Sequence, residues 1–344
     1  VSGVFLAVST YQAGKIILIR EDKGTINTHF HTFNKPMGIA ADGQRLTVGG
    51  RNTVWYYRNM PALSGKLEPP GRHDACYLPR RTHFTGDIDI HEMAWGTEGL
   101  WLVNTKFCCL CTLDPDHSFT PCWRPHFISQ LSPEDRCHLN GMAMKNGVPA
   151  YVTALGETDT AGEWRKNKRD GGILMSVRDN RVLTRGLSMP HSPRLYQKRL
   201  WFLESGKGGF GWFDPATLHL TRPAQVEHKV VAKLPGFTRG LDFVGPLAFI
   251  GLSLVRESAV FSGIPLVEQL NAEERSCGIW VVDIRTGETV AFLRFDSGVE
   301  EIFAVQVLPA RFPEILESSH ERMNDSYVVP DEALRDVPAS LRNE

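Results

Sequence analysis

Three histidines stand at matching places in the sequence: His91, His138 and His191 each open a short apolar run that ends in a polar or glycine-containing turn. Their separations of 47 and 53 residues are far too long for a local metal-binding motif, but suit side chains converging on one axis from separate repeats. Three neutral imidazoles would hold a divalent transition metal (Zn, Cu or Fe) and leave positions open for water or substrate. The ion would act as a Lewis acid or, if Cu or Fe, as a redox centre. Three further repeats open on Met37, Arg239 and Glu301. Glu301, or Asp89 near the first histidine, would orient a ligating ring or serve as general base. Arg239 and Arg194 would anchor an anionic substrate. Each residue also has a plain structural reading: hydrogen-bonded plugs for the rings, strand-end caps for the carboxylates, fixed ion pairs for the arginines. The register is not uniform. His91 lies two residues before Met93 and His138 four before Met142, which puts Asn140 level with His91. Strand side chains repeat every two residues, so His91 and His138 point the same way at different depths.

A second reactive group is Gly71-Arg-His-Asp-Ala-Cys-Tyr-Leu-Pro-Arg. It carries His73, Asp74, Cys76 and Tyr77 on an insertion expected to fold over the channel, where a Cys–His nucleophile pair is conceivable. A metal-free lyase or hydrolase would draw on His138, Tyr77 and Arg239. Cys108, Cys109 and Cys111, with Cys122, lack the spacing of a zinc site and read as small hydrophobes of a buried strand. No Gly-x-Ser-x-Gly elbow and no dinucleotide fingerprint occurs.

The elements that must carry these residues form a repeat. Hairpin-like units begin at residues 37, 91, 138, 191 and 239, spaced 54, 47, 53 and 48 residues apart. Two more strand-like runs usually follow each hairpin, and four antiparallel strands in about 50 residues make a propeller blade. Glu301–Leu308 reads as a sixth inner strand with nothing after it. Its partners are found at the other end, in Val4–Ser9, Lys15–Glu21 and Ile26–Phe33. The sequence therefore predicts an all-β, six-bladed β-propeller whose last blade is closed by strands from both termini, which removes exposed sheet edges. One domain would span residues 1–312, with residues 313–344 as a tail. Insertions at Met60–Phe84, Gly156–Asp170 and Arg256–Ser276 are expected to wall one mouth of the channel.

Composition narrows the classes. With 42% hydrophobic residues and a net charge of −1, the chain has neither a nucleic-acid nor an anionic-membrane footprint. No run of about 18 apolar residues is present to span a bilayer. Seven cysteines, an odd number with two adjacent, favour a reduced, cytoplasmic chain.

Four strings together carry a resemblance: Gly71–Arg80, Asp135-Arg-Cys-His-Leu-Asn-Gly, Leu187-Ser-Met-Pro-His-Ser-Pro-Arg and Leu234-Pro-Gly-Phe-Thr-Arg-Gly-Leu. They resemble an uncharacterised bacterial family of propeller-like proteins, a domain of unknown function, over roughly residues 3 to 313. The resemblance implies a bacterial origin and a single domain, and no reaction. The layout is also loosely similar to peptidyl-hydroxyglycine lyases, six-bladed propellers that hold zinc through three channel histidines; only His91, His138 and His191 match that arrangement. The expected function is a metal-dependent lyase or oxidoreductase acting on a peptide or small molecule. Two alternatives stand beside it: a non-catalytic propeller that binds a protein partner through an apolar patch such as Phe261–Leu270, and the metal-free enzyme.

Overall fold

Apolar runs closed by glycine or polar turns pair as antiparallel strands in the computed structural model, which describes residues 3–218, 227–255, 262–324 and 326–338. The strands form six sheets, five of four strands and one of five. Blade 1 contains Ile39–Ala41, Arg45–Gly49, Thr53–Asn59 and Ala75–Phe84; blade 2 runs from Ile90–Gly96 to Thr120–Trp123. Blades 3, 4 and 5 begin with the inner strands Leu139–Lys145, Pro190–Tyr196 and Phe237–Val244. Blade 6 takes its inner strand, Ala304–Pro309, from one end of the chain and Val4–Thr10, Lys15–Asp22 and Thr25–Thr32 from the other. The two ends pair from Ser9↔Ala304 to Val4↔Pro309. The chain is a six-bladed β-propeller closed by both termini.

Each pair of neighbouring blades encloses one apolar layer. Ile16 and Leu18 meet Ile39 and Leu46 between blades 6 and 1, and Trp201 and Phe210 meet Leu241 and Ile250 between blades 4 and 5. Burying such a side chain contributes about 1.5–3 kcal/mol. Cys109 and Cys111 face the layer between blades 1 and 2, while Cys108 faces the next one. They pack as small hydrophobes, and the cysteines are all unbridged.

Inner strands approach so closely that glycine is required at contact points. A Cβ on Gly141 would lie 2.4 Å from both Pro193 Cδ and Thr153 Oγ1. Gly141→Ala is therefore expected to destabilise the protein by about 1–3 kcal/mol, read as a lower urea midpoint. An unchanged midpoint would mean that blades 3 and 4 are not in this close contact.

The insertions divide differently from the expectation. The second part of Met60–Phe84 is no insertion: Ala75–Phe84 is the outer strand of blade 1, with Pro79 at an irregularity in its pairing. The remaining loop packs outward, where Leu63 and Leu67 meet Cys76, Leu78 and Leu316. It does not wall the channel. Residues expected in the tail join the same edge, for Pro313–Ile315 pairs in parallel with Ala75–Tyr77 as a fifth strand. The other two insertions do meet over the mouth. Trp164 from one packs with Ile264 and Leu266 from the other, and Arg169 pairs with Glu268 at 2.9 Å. Arg256–Phe261 lie outside the described residues. Ile264–Leu266 are buried in this lid, so that part of the Phe261–Leu270 segment is no exposed patch. No helix among the described residues is long and apolar enough to cross a membrane.

Candidate active site

The residues that open the inner strands enter from strained backbone. Asp89, His138 and Met189 have φ of 57°, 52° and 47°, although none is glycine. Such conformations cost about 1–3 kcal/mol each and concentrate at functional sites. They also fix the register: each lies two residues before the level occupied by His91, Asn140 and His191. His138 therefore stands one layer from the other two histidines. Asn140 is spent on the scaffold, donating to the Pro190 carbonyl and accepting from Thr153 Oγ1.

All three histidines line one cavity of about 300 Å³ at the lidded mouth, together with Arg239 and Glu301. In every ring Nδ1 is tied down. His91 Nδ1 donates to the Asp89 carbonyl at 3.0 Å, and His191 Nδ1 reaches the Met189 carbonyl and Ser205 Oγ, both at 2.9 Å. A carbonyl only accepts, so Nδ1 of His91 and His191 carries the proton and Nε2 keeps its lone pair. His138 Nδ1 meets Asp135 Oδ1 at 2.8 Å. The other carboxylate oxygen accepts from Trp164 Nε1 and Arg165, both at 3.0 Å. Trp164 also stacks on His138, with ring centroids 4.3 Å apart. Burial, followed by the nearby Arg239 cation, holds His91 and His191 well below the ordinary imidazole pKa, so both are neutral.

Arg239 and Glu301 supply the opposite chemistry. The Arg239 guanidinium lies 3.5 Å over the Phe303 ring, and its Nη2 is buried without a hydrogen-bond partner. Glu301 Oε2 accepts from Thr10 Oγ1 and the Gln12 amide, both at 3.2 Å, while Oε1 is buried and unpartnered. Burial pushes the Glu301 carboxyl up to about 7, against the pull of Arg239. At Asp89 burial acts in the same direction, but Lys35 Nζ at 2.8 Å prevails and holds the pKa below the usual carboxylate value. The lining carries four cations (Lys35, Arg165, Lys168 and Arg239) against two carboxylates, Asp89 and Glu301.

A raised pKa has a stability consequence. The folded state holds the Glu301 proton more tightly than the unfolded chain, so this group's contribution is lost as pH rises from about 4.5 through about 7. Glu301→Gln, which cannot ionise, should gain on the wild type across that window by on the order of 3 kcal/mol. His91 and His191 act oppositely, losing stability as pH falls below the ordinary histidine value. The quantity to measure is therefore the variant-minus-wild-type difference in urea unfolding; a flat difference would show that Glu301 ionises normally.

Other expected site residues lie elsewhere. Arg194 and Glu92 form a two-pronged ion pair, with both contacts at 2.9 Å, reaching from blade 4 past blade 3 to blade 2. Arg194 lines a different cavity, with Trp95 and Gln306, and is committed to Glu92 rather than to a substrate. Tyr77 and His73 are on the outer edge of blade 1 because Ala75–Phe84 is its outermost antiparallel strand. Tyr77 is fully buried in the layer between blades 6 and 1, and burial raises the Cys76 thiol to about 12, which rules out a ready nucleophile there. Nor do the channel histidines make a preformed metal triangle. Among the described residues, His29, His31 and Glu314 form the group of three potential ligands whose donor atoms lie within 4.8 Å of one another.

Tyr11, Lys35, Trp164, Lys168 and Phe237 also line the cavity and were not singled out as site residues. Tyr11 and Lys35 lie in loops that no spacing rule marks, Trp164 and Lys168 come from one insertion, and Phe237 opens the inner strand of blade 5 two residues before Arg239. The Asp135–His138 pair was visible as a carboxylate three residues before a histidine.

Fold and site define a six-bladed propeller with a lidded pocket at one end of its channel, where histidines and charged groups stand among apolar side chains. Within that class the chain belongs to the family described as Domain of unknown function (DUF4915), whose model matches residues 2–316. No curated protein matches it. Among solved structures it is similar to a chain of a nidogen/laminin complex, with a TM-score of 0.54 and 10% identity, covering 89% of this chain and 98% of that one. It is also similar to a periplasmic gluconolactonase of Pseudomonas aeruginosa, with a TM-score of 0.52 and 13% identity, covering 90% and 100%. At such identity these likenesses show the fold alone.

Proposed function

We propose that the chain is an enzyme that performs proton-transfer chemistry, of lyase or hydrolase type, on a small hydroxylated acid bound at the lidded mouth of the channel. The observation that carries this reading is the buried Arg239 guanidinium with an unpaired Nη2, set among imidazoles that offer Nε2 lone pairs. A carboxylate or phosphate of the substrate would pair with Arg239. Its hydroxyl groups would donate to Nε2 of His91 and His191. His138, oriented by Asp135, would remove a proton, and protonated Glu301 would return one to the leaving oxygen. The excess of cations in the lining favours an anion, and the volume of about 300 Å³ favours a small one.

A second reading keeps the metal. With every Nδ1 bonded to an acceptor, the three Nε2 atoms are oriented as ligands commonly are. One ring would have to move, because these donors are not gathered within 4.8 Å.

The test is a panel of hydroxy acids, sugar acids, sugar phosphates and aldonolactones incubated with the purified chain and followed by NMR, with and without chelator. Turnover that survives chelation and disappears in Arg239→Met supports the proposal. Turnover abolished by chelator supports the second reading, and equal turnover in Arg239→Met would refute the first.

A further inference from the structure

The outer edge of blade 6 holds a cluster with no part in the channel. His29 and His31 lie on Thr25–Thr32, two residues apart and hence on one face of the edge strand. Glu314 reaches them from Pro313–Ile315, the strand that the end of the chain adds to blade 1. His29 Nδ1 is 3.1 Å from Glu314 Oε2, and His31 Nε2 is 3.0 Å from Oε1. His73 Nε2, from the loop before the outer strand of blade 1, lies 3.7 Å from Oε2. His29 Nδ1 and His31 Nε2 are buried, yet neither meets the geometry of a hydrogen bond.

We propose that His29, His31 and Glu314 form a divalent transition-metal site, best suited to zinc, that fastens the end of the chain across the seam between blades 6 and 1. Two imidazoles and a carboxylate are a borderline N/O set that suits Zn, with the fourth position taken by water. With bonds of about 2.0–2.1 Å, tetrahedral geometry places neighbouring donors roughly 3.3 Å apart. His31 and His29 stand 3.0 and 3.1 Å from the two carboxylate oxygens, and the three donor atoms lie within 4.8 Å of one another, close enough for small ring movements to close on an ion. Arg20 Nη1 donates to the Pro313 carbonyl at 2.7 Å and to Glu314 Oε2 at 3.4 Å, holding the carboxylate in place. Its positive charge opposes the ion and moderates the affinity. The ligands come from two segments far apart in the chain, so binding links the edge of blade 6 to docking of the chain's end. The site is independent of the channel chemistry.

The experiment titrates metal-stripped protein with Zn(II) by calorimetry and with Co(II) by visible absorption. One equivalent should bind, Co(II) should give the intense bands of a tetrahedral site, and Zn(II) should raise the melting temperature. His31→Ala and Glu314→Gln should each weaken binding by at least about 100-fold, as loss of a direct ligand exceeds the effect of an outer partner. A double His91→Ala/His138→Ala variant should bind unchanged. If the buried His31 variant fails to fold, Glu314→Gln and the half-exposed His29→Gln decide. Absence of saturable binding, or binding kept in folded His31, Glu314 and His29 variants, would overturn the proposal. So would binding lost only in the channel variant.

Discussion

Glu92→Ala is expected to destabilise the protein by about 3–5 kcal/mol, the largest stability loss anticipated for a single polar side chain. The guanidinium of Arg194 is held by both oxygens of Glu92, whose side chain is 7% exposed. Truncating the acid leaves the cation in the channel with the Pro193 carbonyl as its other bonded partner. Much of the cost is that uncompensated charge rather than the worth of the pair. A double variant, Glu92→Met with Arg194→Met, should accordingly lose far less than Glu92→Ala alone. Urea unfolding of the three proteins decides. A small loss in Glu92→Ala would mean that water reaches Arg194 from the far end of the channel and that the pair is no plug.

The second large effect is on catalysis. Asp135→Asn should lower kcat by about 10²- to 10⁴-fold on whatever substrate is found, with little change in KM. Asp135 accepts a hydrogen bond from His138 Nδ1–H, which keeps the ring proton on Nδ1 and leaves the lone pair on Nε2. An asparagine can turn its amide N–H toward Nδ1, which moves the ring proton to Nε2 and removes the base. The amide oxygen can still accept from Trp164 or Arg165, so the lid should keep its place and binding should survive. Equal losses in KM and kcat would instead indicate a collapsed lid.

The ring was legible in the sequence because each blade repeats a hairpin, and because the strands missing after Glu301 are supplied before Phe33. The histidine lining was legible for the same reason, and even its layering could be read from His138 and Asn140. What misled was Ala75–Phe84. Its apolar start runs into Arg80, Arg81 and Thr82, and Pro79 interrupts it, which reads as loop rather than as outer strand. That displaced Tyr77 and His73 from the channel to the rim. Arg194 was expected to anchor a substrate, and sequence does not reveal that Glu92, two blades away, takes its guanidinium instead. Glu314 joins His29 and His31 only because the end of the chain returns to the edge of blade 1. Nothing local announces that contact.

The central claim is that Arg239 makes the lidded pocket a receptor for small anions. Calorimetric titration of the wild type and Arg239→Met with lactate, malate, gluconate and inorganic phosphate tests it most directly. Saturable one-to-one binding of at least one of these to the wild type is expected, weakened about 100-fold or more in the variant by the loss of a charge-assisted pair of about 3 kcal/mol. Absence of binding at millimolar concentration, or equal binding by both proteins, would contradict it.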